Sequence, residues 1–121
     1  MHAAPDIVIY EGDFLTRTLL KEWLGEEGYQ VRFGNLCDAG GDAPCALVIV
    51  SIYMPKQHGA QFVRDIQAAH PGTPLIAISG QFRPGLAAAG ATAQTLGVRQ
   101  VVAKPLSRQE LMESVRRIIS N

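Results

Sequence analysis

The chain has 121 residues, of which 47% are hydrophobic and 18% charged. That suits one compact domain spanning 1–121, with enough apolar mass for a core. Lysine plus arginine and aspartate plus glutamate number 11 each, so the basic excess of a dedicated nucleic-acid binder is absent. No apolar stretch approaches the roughly 20 residues of a bilayer span, and no secretory signal is visible before the first acidic residues. The expectation is a cytoplasmic protein with neither nucleic acid nor membrane as partner.

Asp6-Ile7-Val8-Ile9-Tyr10 is short, apolar and β-branched, which predicts a buried strand. Phe14 to Glu27 reads as a helix, with Leu20 and Leu24 on one face and Leu15, Leu19 and Trp23 beside it. Asp13 is placed to cap its start and Gly28 to end it. Gln30 to Phe33 is a weaker second strand. Gly34 to Pro44 is short and rich in Gly, Ala and Asp, so a second helix there is expected to be at most a turn or two. Ala46 to Ser51 is the most apolar strand and the expected centre of the sheet. Gly59 to His70 is helical by the spacing of Phe62, Val63, Ile66 and Ala69.

Pro74 to Ser79 predicts a fourth strand. Pro84 to Leu96 reads as a helix weakened by Gly85 and Gly90 and ended by Gly97. Its small residues fit either close packing on the sheet or a loose element that docks a partner. Gln100 to Ala103 is the fifth strand. Ser107-Arg108-Gln109-Glu110 is a capping box. It opens a last helix with Leu111, Val115, Ile118 and Ile119 on one stripe, and Arg116 and Arg117 near its negative end.

Continuously apolar strands alternating with helices imply an α/β fold, a parallel sheet covered on both faces. Right-handed crossovers favour the strand order 2-1-3-4-5 in three layers, a flavodoxin-like (βα)5 unit with its second helix shortened. In such sheets the ligand crevice lies beyond the carboxyl ends of the strands, where the order reverses between the first and third. The residues there are Glu11, Gly12 and Asp13, then Ser51, then Ser79-Gly80, then Lys104-Pro105, so distant segments converge on one pocket.

These residues, together with Arg17 six positions after Glu11 and Pro55 and Gly59 four and eight after Ser51, carry a resemblance. The chain resembles the CheY-like receiver domain of two-component response regulators along nearly its full length. Receivers share the strand order above, so topology and resemblance are not independent. The resemblance implies that Glu11 and Gly12 occupy the two acidic magnesium-binding positions. It places Ser51 on the aspartate that takes a phosphoryl group from a histidine kinase, and Tyr53 on the metal-binding carbonyl. Ser79 and Lys104 would contact phosphoryl oxygens, and Val101 falls where many receivers have a switch aromatic. Met54, Pro55, Gly59 and Pro105 keep the loop scaffold, with the Lys104-Pro105 bond expected to be cis.

Three departures set the functional expectation. A serine hydroxyl is a weak nucleophile without an adjacent base. Gly12 removes one carboxylate, and magnesium relies on one or two carboxylates plus phosphate in near-octahedral geometry. Glu11 and Asp13 alone are therefore expected to bind it weakly or not at all, and no cofactor is expected. Val101 removes the switch ring. The reading is a degenerate, non-phosphorylatable receiver acting as a protein-interaction module. Its expected partner is a histidine kinase or another signalling protein, met through the fourth helix, fifth strand and fifth helix, or a second copy of the chain. The alternative is a pseudo-receiver that senses a small anion or metabolite near Lys104.

Enzyme activity is not expected. Ser51 lies between Val50 and Ile52, without the G-x-S-x-G elbow, and His2, His58 and His70 show no metal spacing. The residues after the last helix leave no room for a DNA-binding or enzymatic output domain, so a protein of these residues alone is expected to act through another protein, and one in which they are a part through an effector elsewhere in it. Glu11 and Asp13 stand open between capping the first helix and holding a cation. Arg17 is placed to pair with Asp13, and Ser79 to satisfy backbone at its strand end. A lysine at a buried strand end needs an anionic or carbonyl partner, and Lys104 is placed to pair with Glu11. Cys37 and Cys45 read as reduced thiols, with a local disulfide left open.

Overall fold

The four strongest apolar runs become neighbouring strands, because only a covered sheet can bury both faces of each. The computed structural model of the chain describes residues 6–34, 45–53, 55–83 and 90–119. Its strands are β1 (Asp6–Tyr10), β2 (Gln30–Phe33), β3 (Leu47–Ser51), β4 (Leu75–Ser79) and β5 (Gln100–Ala103). All pairings are parallel, in the order β2-β1-β3-β4-β5. The register sets Tyr10 opposite Val50, Ser51 opposite Ile78 and Ser79 opposite Ala103, which aligns the carboxyl ends of β1, β3, β4 and β5 along one rim.

Side chains alternate across the sheet and each face is roofed by helices. On one face Ile7, Ile9, Leu47, Ile49, Ile76 and Ile78 pack under α1 (Phe14–Glu26) and α4 (Arg108–Ile119), which contribute Leu20, Leu24, Leu111, Met112 and Val115. On the other, Val8, Val48, Val50, Leu75 and Ala77 pack under α2 (Ala60–Ala69) and α3 (Ala91–Leu96) through Val63, Ile66, Ala93 and Leu96. This is the three-layer, flavodoxin-like arrangement expected. β2 is the half-exposed edge strand that its weaker pattern predicts.

Several expectations need correction. Helical backbone begins at Pro55, not Gly59: residues Pro55–Gly59 form a π-helical turn that runs into α2. Proline is suited to a first helical position, where its fixed φ fits and its missing N–H would have no partner. A Cβ at Gly59 would stand 2.8 Å from Leu96 Cδ2, the movable end of that side chain, and 3.3 Å from Pro55 Cβ, so glycine leaves room where α2 begins beside α3. In the segment read as one helix from Pro84, described helix begins at Ala91; residues 84–89, with Gly85, Ala87, Ala88 and Ala89, lie outside the described residues. The expected short second helix falls on 35–44, also outside them. The buried face of α1 is narrower than its leucine content suggests. Leu20 and Leu24 are buried and Trp23 packs beside them, but Leu15 and Leu19 are 71% and 40% exposed.

The predicted caps form. Asp13 caps α1, Gly97 ends α3 in the left-handed conformation at φ 83°, and the Ser107 hydroxyl accepts from the Glu110 N–H at 3.3 Å. Arg116 does more than complement its helix terminus. It pairs with Glu27 at 3.3 Å, and Arg108 pairs with Glu26, so the end of α1 is tied to α4.

Candidate functional site

β1 lies between β2 and β3, so the connections leaving β1 and β3 cross to opposite sides and open a crevice at their carboxyl ends. Lys104 enters it from the end of β5. Its backbone N–H donates to the Ser79 carbonyl at 3.0 Å, and the Lys104–Pro105 peptide is cis, as expected. Its ammonium donates to Glu11 Oε1 at 2.9 Å and to Ser51 Oγ at 3.0 Å. The Glu11 side chain is only 4% exposed and that of Lys104 26%, so the pair is largely out of water. The second carboxylate oxygen of Glu11 accepts from the Asp13 backbone N–H at 3.0 Å. Both oxygens of Glu11 are thus engaged, and the partner expected for Lys104 is the one found.

Asp13 serves the helix. Its Oδ2 accepts from the Thr16 N–H at 2.9 Å and the Thr16 hydroxyl at 2.8 Å. These two bonds, helped by the Lys104 charge, hold its carboxyl below the usual carboxylate range. Asp13 thus forms the expected cap, with both bonds on its Oδ2. The expected Arg17–Asp13 pair is a correction for the same reason. With the carboxylate turned back onto Thr16, the Arg17 guanidinium lies over the Phe33 ring, 4.3 Å from its centroid. Only the Arg17 backbone N–H reaches Asp13, at its carbonyl, 2.9 Å away.

Ser79 is 1% exposed, and its hydroxyl accepts from the Gln81 N–H at 3.0 Å. It satisfies backbone at its strand end, the plainer of its two roles. Val101 is buried under α2 and α3. Gly12 sits in open space, with no atom within 4 Å of where its Cβ would stand, and Tyr53 is 85% exposed. Pro55 and Gly59 bound the π-helical turn, while Met54 lies outside the described residues. The large exposed hydrophobic side chains among the described residues are Phe14, Leu15, Leu19, Phe33 and Tyr53. None belongs to α3, β5 or α4.

One buried polar group has no counterpart in the sequence reading. The Tyr10 hydroxyl and His70 Nε2 are 2.7 Å apart, and Cys45 Sγ lies 3.8 Å from His70 Nδ1. Burial pushes the Cys45 thiol up, partly opposed by the Arg32 charge. Cys45 is a free thiol; Cys37 lies outside the described residues. The available signal was Tyr10 itself, since a tyrosine in a buried strand requires a polar partner for its hydroxyl.

The crevice therefore contains one ammonium, one buried carboxylate satisfied by it and two neutral hydroxyls, with the exposed Asp13 carboxylate near enough to feel the Lys104 charge. Among the described residues no group of three or more His, Cys, Asp or Glu is arranged to hold a metal ion. Magnesium wants carboxylate oxygens free to coordinate it. The one buried carboxylate here is closed by Lys104 and the Asp13 N–H, so the donor set does not fit that ion.

A sequence model of the response regulator receiver domain matches residues 7–116. The chain belongs to the response regulator receiver family. Receivers are signalling modules of two-component systems, and the fold of this one matches solved receivers closely. A response regulator from Thermotoga maritima is 19% identical, with 98% of this chain and 99% of that chain covered at a TM-score of 0.72. The chemotaxis protein CheY4 of Vibrio cholerae is 19% identical, covering 96% and 99%, at 0.73. The receiver domain of the sensor histidine kinase PA1611 from Pseudomonas aeruginosa, whose structure holds a magnesium ion in its active-site cleft, is 21% identical, covering 98% and 100%, at 0.73. No curated protein matches the chain in sequence. Among the described residues no helix of this receiver is long and apolar enough to cross a membrane.

Proposed function

We propose that this receiver does not accept a phosphoryl group and signals by binding another protein. The observation that carries the reading is the closed contact of Lys104 with Glu11 and Ser51. A phosphoryl-accepting site needs an ionised acceptor at the end of β3 and a metal beside it to neutralise incoming charge. Ser51 in that place offers a neutral hydroxyl, and Gly12 offers no ligand. The lysine meets its charge requirement within the protein, so one conformer is held without ligand. The whole chain, residues 1–121, is taken as one such cytoplasmic domain.

The reading implies a histidine kinase or another signalling protein as partner, over α3, β5 and α4 as the family resemblance indicates, with self-association as a further use of that surface. Phe14, Leu15 and Tyr53, exposed around the Lys104 end of the sheet, add apolar area of the kind that partner contacts use.

Magnesium with beryllofluoride, followed by backbone amide NMR, tests the reading. We expect no saturable shifts at Ser51 or Ser79. Saturable shifts there would sink it. The double variant Gly12→Asp/Ser51→Asp returns two carboxylates, one of them into the open space beside Gly12. It is expected to gain magnesium binding, with Ser51→Asp alone gaining less. Equal magnesium affinity in the parent and the double variant would remove the carboxylate argument.

A further inference from the structure

Beside the closed crevice lies an open one. Between the π-helical turn with the first half of α2 on one side, and residues Gln81–Arg83 with α3 on the other, is a cleft of about 980 Å³. That is at the upper end of the volumes typical of small-molecule sites. Its apolar floor includes Leu96 and the buried Phe82. Arg64 and Arg83 line it, and among the described residues no aspartate or glutamate does. In a chain of zero net charge, this is a local positive surface. Among the described residues neither arginine has a carboxylate partner. Arg64 donates to the Gln61 side-chain carbonyl at 2.9 Å, and Gln61 in turn donates to Asp65, which does not line the cleft.

A second observation bears on the same wall. Residues Pro55–Gly59 are π-helical, a rare backbone form that is found often at functional sites. Pro55, Gln57 and Gly59 of that turn face the cleft. The polar groups there are amides and hydroxyls: Gln57, Gln61, Gln81, Thr92 and Thr95. Such groups both donate and accept, as a nucleobase or sugar edge requires. Guanidinium groups are suited to phosphate, which they grip through paired N–H donors.

We propose that this cleft binds a nucleotide, with its phosphates on Arg64 and Arg83 and its base over the apolar floor among the glutamines and threonines. The site is separate from Lys104, and it stands whether or not Ser51 is ever phosphorylated. It is also connected to the central crevice. Gln81 lines the cleft, and its backbone N–H is the one bonded to the Ser79 hydroxyl. A ligand that moves Gln81 is felt at the end of β4, which gives a receiver without phosphorylation chemistry a means of responding to a small molecule.

The test is titration of the full chain with ADP, pyrophosphate and adenosine, followed by backbone amide NMR and calorimetry. ADP is expected to bind at least fivefold more tightly than either fragment and to shift Gln57, Gln61, Thr92 and Thr95. Arg64→Gln and Arg83→Gln are each expected to weaken ADP at least tenfold, whereas Arg99→Gln, outside the cleft lining, leaves it within twofold. No saturable shift with ADP at millimolar concentration overturns the proposal. Pyrophosphate binding as tightly as ADP overturns it too, since the base then contributes nothing. ADP binding lost in Lys104→Met but kept in Arg64→Gln and Arg83→Gln assigns the ligand to the central crevice and likewise refutes the cleft.

Discussion

A lysine directed into the end of a buried sheet must find its countercharge inside the protein, and Lys104 finds it on Glu11. The pair is asymmetric. Glu11 is nearly inaccessible and depends on two donors, whereas Lys104 keeps part of its stem and head in water. Losing the ammonium therefore costs more than neutralising the carboxylate, because it strands a charge. Lys104→Met is expected to cost roughly 2–3 kcal/mol, less than a fully buried pair because of its partial exposure. Glu11→Gln keeps one carbonyl acceptor and turns the other oxygen into an NH2 donor, so one of the two bonds goes with the charge, at a cost of about 1–2 kcal/mol. The double variant strands no charge and should be clearly more stable than the sum of the two losses implies, by at least about 1 kcal/mol of coupling in urea melts. Additive losses would mean that the contact contributes nothing of its own. This pairing was legible in the sequence, because a strand-end lysine facing Glu11 across the rim has few other choices. The Arg17–Asp13 expectation failed for a reason that spacing does not carry: the Asp13 carboxylate had a nearer, backbone partner in Thr16. The Tyr10–His70–Cys45 contact joins positions 60 and 25 residues apart, and only the completed packing brings them together.

At the scale of elements, the start of α1 combines structure with site. Asp13 caps the helix through its side chain while its N–H holds Glu11 in place, so the cap and the crevice share one residue. Because Thr16 lowers the Asp13 pKa in the folded state, the cap contributes stability above the unfolded value, about 3.9. That contribution is lost as pH falls through the lower folded value. Asp13→Asn retains a capping acceptor but no titrating group. Thermal melts from pH 5 down to pH 2.5 should show the parent losing more than Asp13→Asn, the two converging at the acid end. Parallel curves would show that this carboxylate does not participate. Helix ends whose residues make the cap themselves, such as Asp13, Gly97 and Ser107, were readable from sequence. The start at Pro55 was not, since a π-helical turn has no side-chain cap of its own to read and Lys56, Gln57 and His58 carry no helical apolar spacing.

For the molecule as a whole, strand order and layering follow from continuous apolar runs and crossover handedness, and these were present in the chain from the start. Less visible was how unevenly the core is shared. β1, β3 and β4 carry side chains with no exposure at Ile9, Ile49 and Ile76, roofed on one face by α1 and α4 with five buried apolar side chains between them. α3 has six residues and gives the core Ala93 and Leu96. It borders both the open cleft and the segment that carries Gln81. Elements with few buried contacts open by themselves before the rest unfolds. Native-state hydrogen exchange in low urea should therefore find Thr95 and Leu96 exchanging by a local opening with little urea dependence. Ile49 and Ile76 should exchange only with global unfolding, at the full free energy and urea slope. If the α3 amides follow the β3 and β4 amides in both, the fold opens as a single unit. A ligand in the cleft would then have no soft element to move, and any signal from it would have to pass through a rigid sheet.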